Sequence, residues 1–130
     1  MGARILVIED NQVNMDLMSY LLTAFGHTVL PAADGVAGVA VARSERPDLI
    51  LCDLQLPRLD GHGVLAALRG DPATSAIPIL AASAAAIDDG GAALRAEGFT
   101  GVLPKTLEPE ALLPALEAFL PAALRSAASN

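Results

Sequence analysis

The stretch RILVIEDNQVNMDLMSYLL, residues 4–22, joins two periodicities at a pair of acids. Ile5-Leu6-Val7-Ile8 is apolar without alternation, so Arg4–Ile8 reads as a strand covered on both faces. After it, Val13, Leu17, Met18, Leu21, Leu22 and Phe25 recur at helical spacing. Asn11 is placed as the N-cap of that helix and Gly26 as its stop. Glu9 and Asp10 lie between the two. Adjacent carboxylates at the end of a buried strand call for something positive to neutralise them.

The same strand-then-helix unit recurs along the chain. Thr28–Pro31 is a short strand and Val36–Ser44 an amphipathic helix closed by Pro47. Leu49–Cys52 is a continuous apolar strand ending at Asp53; LPRLDG (56–61) is turn chemistry, and Gly61–Arg69 follows as a helix. Ile77–Ala82 is the next strand. Ala86–Glu97 is expected to be a weak helix, since Gly90 and Gly91 each cost up to about 1 kcal/mol against alanine in a helix interior. Gly101–Pro104 is the last strand and Glu108–Leu124 the last helix, with Pro109 well placed in its first turn. A kink is expected near Pro114, Pro121 or both. Leu113, Leu116, Leu120 and Leu124 form either its core face, the favoured reading, or a homodimer seam.

Five β-α units with short connections and strands lacking a polar face imply an α/β fold, a doubly wound parallel sheet covered by helices on both sides. Ligands of such sheets bind outside the carboxyl ends of the strands. Glu9 and Asp10, Asp53, Ser83 and Lys105 each follow or end a strand, so all five are expected on one edge.

Composition narrows the function classes. The chain has 130 residues, one domain's worth, and 53% of them are apolar. Trp is absent and Tyr occurs once, so the core must be aliphatic. A net charge of −7 argues against direct binding to nucleic acid or to an acidic membrane surface. A single cysteine, Cys52, allows no intrachain disulfide; it is read as a small core residue pointing away from Asp53's side of the strand. No stretch is long and apolar enough to span a bilayer, and a soluble, cytoplasmic protein is expected. A single domain over residues 1–125 with a frayed tail, 126–130, is the expected organisation.

Three carboxylates converging on one edge repel each other, by about 4 kcal/mol for a pair 4 Å apart at an effective dielectric near 20. A divalent cation removes that cost. Oxygen ligands on an open, wet edge suit Mg²⁺. Asp10 and Asp53 are expected as direct ligands, Glu9 directly or through water, and the main-chain carbonyl of Gln55 completes the set. Such a metal orients a phosphoryl group, and a carboxylate can carry that group as an acyl phosphate. Asp53 is the best-placed nucleophile, with Lys105 and the Ser83 hydroxyl arranged to meet the phosphoryl oxygens. Ser83 also fits a plain turn residue. Asn14, one turn into the first helix, faces either the site or solvent. His27 and His62 read as surface residues.

Together VIEDNQVN, DLILCDLQLPRLDG, IPILAASA and GVLPKTLEPEAL resemble a bacterial response-regulator receiver domain, most closely the single-domain type used in two-component systems and phosphorelays. The resemblance covers about Arg4 to about Leu124. It implies a flavodoxin-like (βα)5 fold with strand order 2-1-3-4-5. It makes Asp53 the phosphoacceptor, Glu9 and Asp10 the metal-binding acids, Ser83 the hydroxyl switch and Lys105 the phosphoryl contact. A sensor histidine kinase or histidine phosphotransfer protein is the implied donor. The output is implied at the face of helix four, strand five and helix five, to a downstream protein partner or a homodimer. Two positions depart from the family: Val102 stands where an aromatic is usual, and Thr106 where a proline follows the lysine. A cis bond before a non-proline costs about 2.5–4 kcal/mol, so a trans bond is expected at Thr106.

Three rival functions remain. An aspartyl-phosphate hydrolase of the haloacid dehalogenase type needs a second Asp where Gln55 stands. A flavodoxin-like FMN carrier needs phosphate at the place Glu9 and Asp10 make negative. A degenerate receiver would bind partners without phosphorylation.

Overall fold

The computed structural model describes residues 2–83, 89–104 and 109–125. The elements run β1 (Arg4–Ile8), α1 (Gln12–Ala24), β2 (Thr28–Ala32), α2 (Gly35–Glu45), β3 (Leu49–Asp53), α3 (Gly61–Arg69), β4 (Ile79–Ser83), α4 (Ala92–Glu97), β5 (Gly101–Pro104) and α5 (Pro109–Glu117), with a 3₁₀ turn at Ala122–Leu124. All neighbouring strands pair in parallel, in the order β2-β1-β3-β4-β5. The expected doubly wound sheet is therefore present.

Alternation along the strands splits the core in two. Leu6, Ile8, Ile50, Cys52, Ile79 and Ala81 pack on the side of α2 and α3. Ile5, Val7, Leu49, Leu51, Leu80 and Leu103 pack with Met15 and Leu22 of α1 and with Leu113, Leu116 and Leu120. The leucines of the last helix thus face the core, as favoured. Cys52 lies across the sheet from the α1 side. Burial foremost, then the charges of Asp53 and Asp60, push its thiol up to about 12. Between about pH 9 and about 12 the folded chain keeps a proton that the unfolded chain releases, so stability falls as pH rises through that window. Alkylation of Cys52 by iodoacetamide at pH 8 should accordingly follow unfolding; rapid labelling of the native protein would contradict this.

Several boundaries differ from expectation, each for a local reason. β4 begins at Ile79, since the Ile77 amide is held by Thr74 O in a turn and Pro78 follows. Gly90 and Gly91 are not inside a helix: both adopt positive φ (66° and 85°), and α4 starts only at Ala92. Residues 84–88, which include the first three of the expected helix, lie outside the described residues. The Asp89 carboxylate accepts from the amides of Ala93 and Gly91, which hold it below the usual carboxylate range. α5 tolerates Pro114 in its interior but stops at Glu117. Pro121 explains the stop, because it has no N–H to donate to the Glu117 carbonyl four residues earlier and its ring would clash with that carbonyl in a continuing helix; the carbonyl accepts from the Leu120 amide instead. The chain restarts as the 3₁₀ turn beyond it.

The largest departure concerns histidine. His27 is buried, not on the surface. Its Nδ1 accepts from the Ala3 amide at 3.0 Å, and its Nε2 meets Glu117 Oε2 at 2.5 Å. Since Nδ1 is an acceptor, the ring is the neutral Nε2–H tautomer donating to Glu117. The bond ties the start of β1, the α1–β2 turn and the end of α5. His62 is exposed as expected and pairs with Glu97 across α3 and α4. Arg69 closes the same region, donating to the carbonyls of Gly98, Ser75 and Ile77.

Candidate functional site

The carboxyl ends of β1 and β3 lie side by side, Ile8 paired with Cys52. That register brings the next residues, Glu9, Asp10 and Asp53, to one place on the edge. Each offers a carboxylate oxygen, and the three oxygens lie within 4.8 Å of one another. Glu9 and Asp53 are buried, 8% and 5% exposed, while Asp10 is open to solvent. At an effective dielectric near 20 the two buried charges repel by roughly 3 kcal/mol at that separation. Local bonds fix them: Asp53 Oδ1 accepts from the Gln55 amide and Glu9 Oε2 from the Asn11 amide, each at 3.1 Å. These oxygens form the hard, anionic donor set that suits Mg²⁺.

The turn after Asp53 is tight because Gly61 opens α3 directly beneath it. A Cβ at Gly61 would lie 2.7 Å from Asp53 O and 2.8 Å from Leu54 Cα. Asp60 caps α3 by accepting from Gly63 N, and Gln55 sits exposed in the same turn. Ser83 ends β4, buried, in register with Pro104 of β5. The site's expected residues Glu9, Asp10, Asp53, Gln55 and Ser83 thus lie on the same edge. Lys105 and Thr106 lie outside the described residues, as does the peptide bond expected to be trans.

A cavity of about 110 Å³ opens beside Asp53, between α1, β5 and α5. Glu9 and Asp53 stand at its polar end, with Asn14, Leu17, Met18 and Leu112 among its walls. Apolar side chains also remain exposed along α1. Val13, Leu17 and Tyr20 are 76%, 53% and 76% exposed, at spacing i, i+4, i+7. The helical periodicity of α1 is therefore real, but only part of it turns inward, to Met15 and Leu22. Sequence alone did not separate the inward from the outward apolar residues.

Residues 5–117 match the response regulator receiver domain family. The chain belongs to that family. This receiver is 35% identical to protein PilH of Pseudomonas aeruginosa over 118 residues, 91% of this chain and 98% of the relative. It also resembles the chemotaxis protein CheY4 of Vibrio cholerae, with TM-score 0.84 and 30% identity over 92% of this chain and all of that one. A third likeness is the receiver domain of the sensor histidine kinase PA1611 of Pseudomonas aeruginosa, with TM-score 0.81 and 31% identity over 92% of this chain and 98% of that one. In that structure a magnesium ion is coordinated in the active site cleft. The fold and the acidic cluster of this receiver match that setting. The family places the chain in two-component signalling, as a signalling protein rather than a classical enzyme. Among the described residues, no helix is long and apolar enough to cross a membrane.

Proposed function

We propose that this receiver is a phosphoacceptor response regulator whose Asp53 takes a phosphoryl group from a phosphohistidine. The observation that carries the reading is the convergence of Glu9, Asp10 and Asp53 within 4.8 Å at the carboxyl edge of the sheet. Asp53 is the central acid: it is buried, it ends a core strand, and a backbone amide holds one of its oxygens. In the transfer, a carboxylate oxygen of Asp53 bonds to phosphorus as the nitrogen–phosphorus bond of the donor breaks. The departing imidazole keeps the electron pair and takes up a proton. Glu9, Asp10, Asp53 and the Gln55 main-chain carbonyl would hold Mg²⁺, which when bound offsets their charge and that of the transferring group. The Ser83 hydroxyl and the Lys105 ammonium would meet the phosphoryl oxygens; their support is that Ser83 ends β4 and Lys105 follows β5 in the sequence.

The donor is a sensor kinase or phosphotransfer protein of the cytoplasm. The exposed α1 stripe of Val13, Leu17 and Tyr20 supports docking of an apolar helix face beside the site. α1 carries Asp16 and no Lys or Arg, which favours a donor with basic flanks. Slow hydrolysis of the aspartyl phosphate would reset the protein. A degenerate, phosphorylation-independent receiver is the second reading, and Val102 and Thr106 are what favour it.

Incubation with acetyl phosphate and Mg²⁺ tests the proposal: a mass increase of one phosphoryl group is expected, and no adduct would leave the degenerate reading. The metal has its own test. Asp10→Asn removes a charged ligand, so Mg²⁺ affinity measured by titration should fall at least tenfold, whereas unchanged affinity would remove Asp10 from the ligand set.

A further inference from the structure

We infer that the side-chain amide of Asn14 is a hydrogen-bond donor to the phosphoryl group carried by Asp53. The inference rests on the phosphoacceptor reading above and adds a residue to it.

Three carboxamides occupy the start of α1, and two are committed. Asn11 Oδ1 accepts from the Asn14 backbone amide and caps the helix. Gln12 Nε2 donates to Asp16 Oδ1 at 2.7 Å. The Asn14 side chain makes no hydrogen bond among the described residues, and it lines the cavity beside Asp53. A cavity of about 110 Å³ is small, so Asn14 and Asp53 look across the same short space. Its other described walls are apolar or acidic: leucines, Met18, Val7, Glu9 and Asp53 itself. Asn14 is the one described wall residue with side-chain N–H groups. A phosphoryl group on Asp53 brings negative charge to a place already bounded by two acids. An N–H donor on the cavity wall can meet that charge, and a hydrogen bond to a charged group is stronger than one between neutral groups. Asn14 therefore serves the phosphorylated state from the α1 wall of the cavity, with Leu103 and Pro104 of β5 among its other walls.

The test uses the full chain, saturating Mg²⁺ and beryllofluoride as the phosphoryl mimic. Calorimetric titration of Asn14→Ala should show beryllofluoride binding about ten- to a hundredfold weaker than wild type, the span expected for one hydrogen bond to a charged group. Mg²⁺ affinity measured alone should be unchanged. In the wild-type protein the Asn14 side-chain amide resonances should shift on adding beryllofluoride and not on adding Mg²⁺ alone. Asn14→Asp supplies an independent arm. An acid in the first turn of α1 favours the helix and attracts the cation, so Mg²⁺ binding should hold or improve while mimic binding drops by more than in Asn14→Ala. Beryllofluoride affinity within twofold of wild type in Asn14→Ala overturns the inference. A parallel loss of Mg²⁺ affinity also overturns it, since Asn14 would then act through the metal. A wild-type chain that binds no beryllofluoride overturns the phosphoacceptor reading beneath it instead.

Discussion

Asp53→Asn should form no phosphoryl adduct with acetyl phosphate and Mg²⁺ under conditions that label the wild-type chain to completion. The substitution replaces the nucleophilic carboxylate by a neutral amide of the same shape, so no acyl phosphate can form. It should leave the fold intact. The Gln55 amide, 3.1 Å from Asp53 Oδ1, keeps a carbonyl oxygen to donate to. One charge leaves a cluster of three acids held within 4.8 Å. The roughly 3 kcal/mol of repulsion between the two buried acids is relieved, so without metal the variant should unfold at a temperature equal to or above that of wild type. With Mg²⁺ the order should narrow or reverse, because the wild-type site gains more from the cation. Intact-mass measurement and thermal unfolding with and without Mg²⁺ check both parts. Undiminished labelling of the variant would move the phosphoacceptor to another residue.

His27→Ala should lower the free energy of unfolding by about 3–5 kcal/mol, since it strips a buried carboxylate and a buried amide of their partners, at about 1–3 kcal/mol each and more for the charged one. That is a large share of the 5–15 kcal/mol typical of a whole domain. The change leaves the buried Glu117 carboxylate without its Nε2–H donor and the Ala3 amide without its acceptor. It also opens a cavity where an imidazole stood. Glu117→Gln keeps an acceptor for Nε2–H and removes the buried charge, so its cost should be clearly smaller. Denaturant unfolding separates the two. A loss below 1 kcal/mol for His27→Ala, or equal losses for both variants, would show that the pair does not hold α5 to the start of the sheet.

The sheet and the acidic edge were legible because each depends on patterns short in sequence. Ile5–Ile8 and Leu49–Cys52 are short, continuous apolar runs bounded by polar residues, the mark of strands covered on both faces, and a parallel sheet then carries whatever follows each strand to one rim. The His27–Glu117 bond was hidden for the opposite reason. Its partners are 90 residues apart, and nothing near His27 announces an acid. The outward turn of Val13 and Leu17 was hidden too. Periodicity says that a helix has an apolar stripe, while neighbouring elements decide which part of a broad stripe is covered. Gly90 and Gly91 misled through counting: their cost was charged to a helix interior, whereas their freedom at positive φ serves the turn that precedes α4. Pro121, one of two prolines expected to bend the last helix, stands instead beyond its end, four residues after Glu117, the last residue of α5.

Val102, standing where the family has an aromatic ring, is fitted to that glycine turn. A Cβ placed on Gly91 would sit 2.9 Å from Val102 Cγ2 and 3.3 Å from its Cβ. Positions 91 and 102 are in effect a single steric unit. A side chain added at 91 finds room only if Val102 gives way.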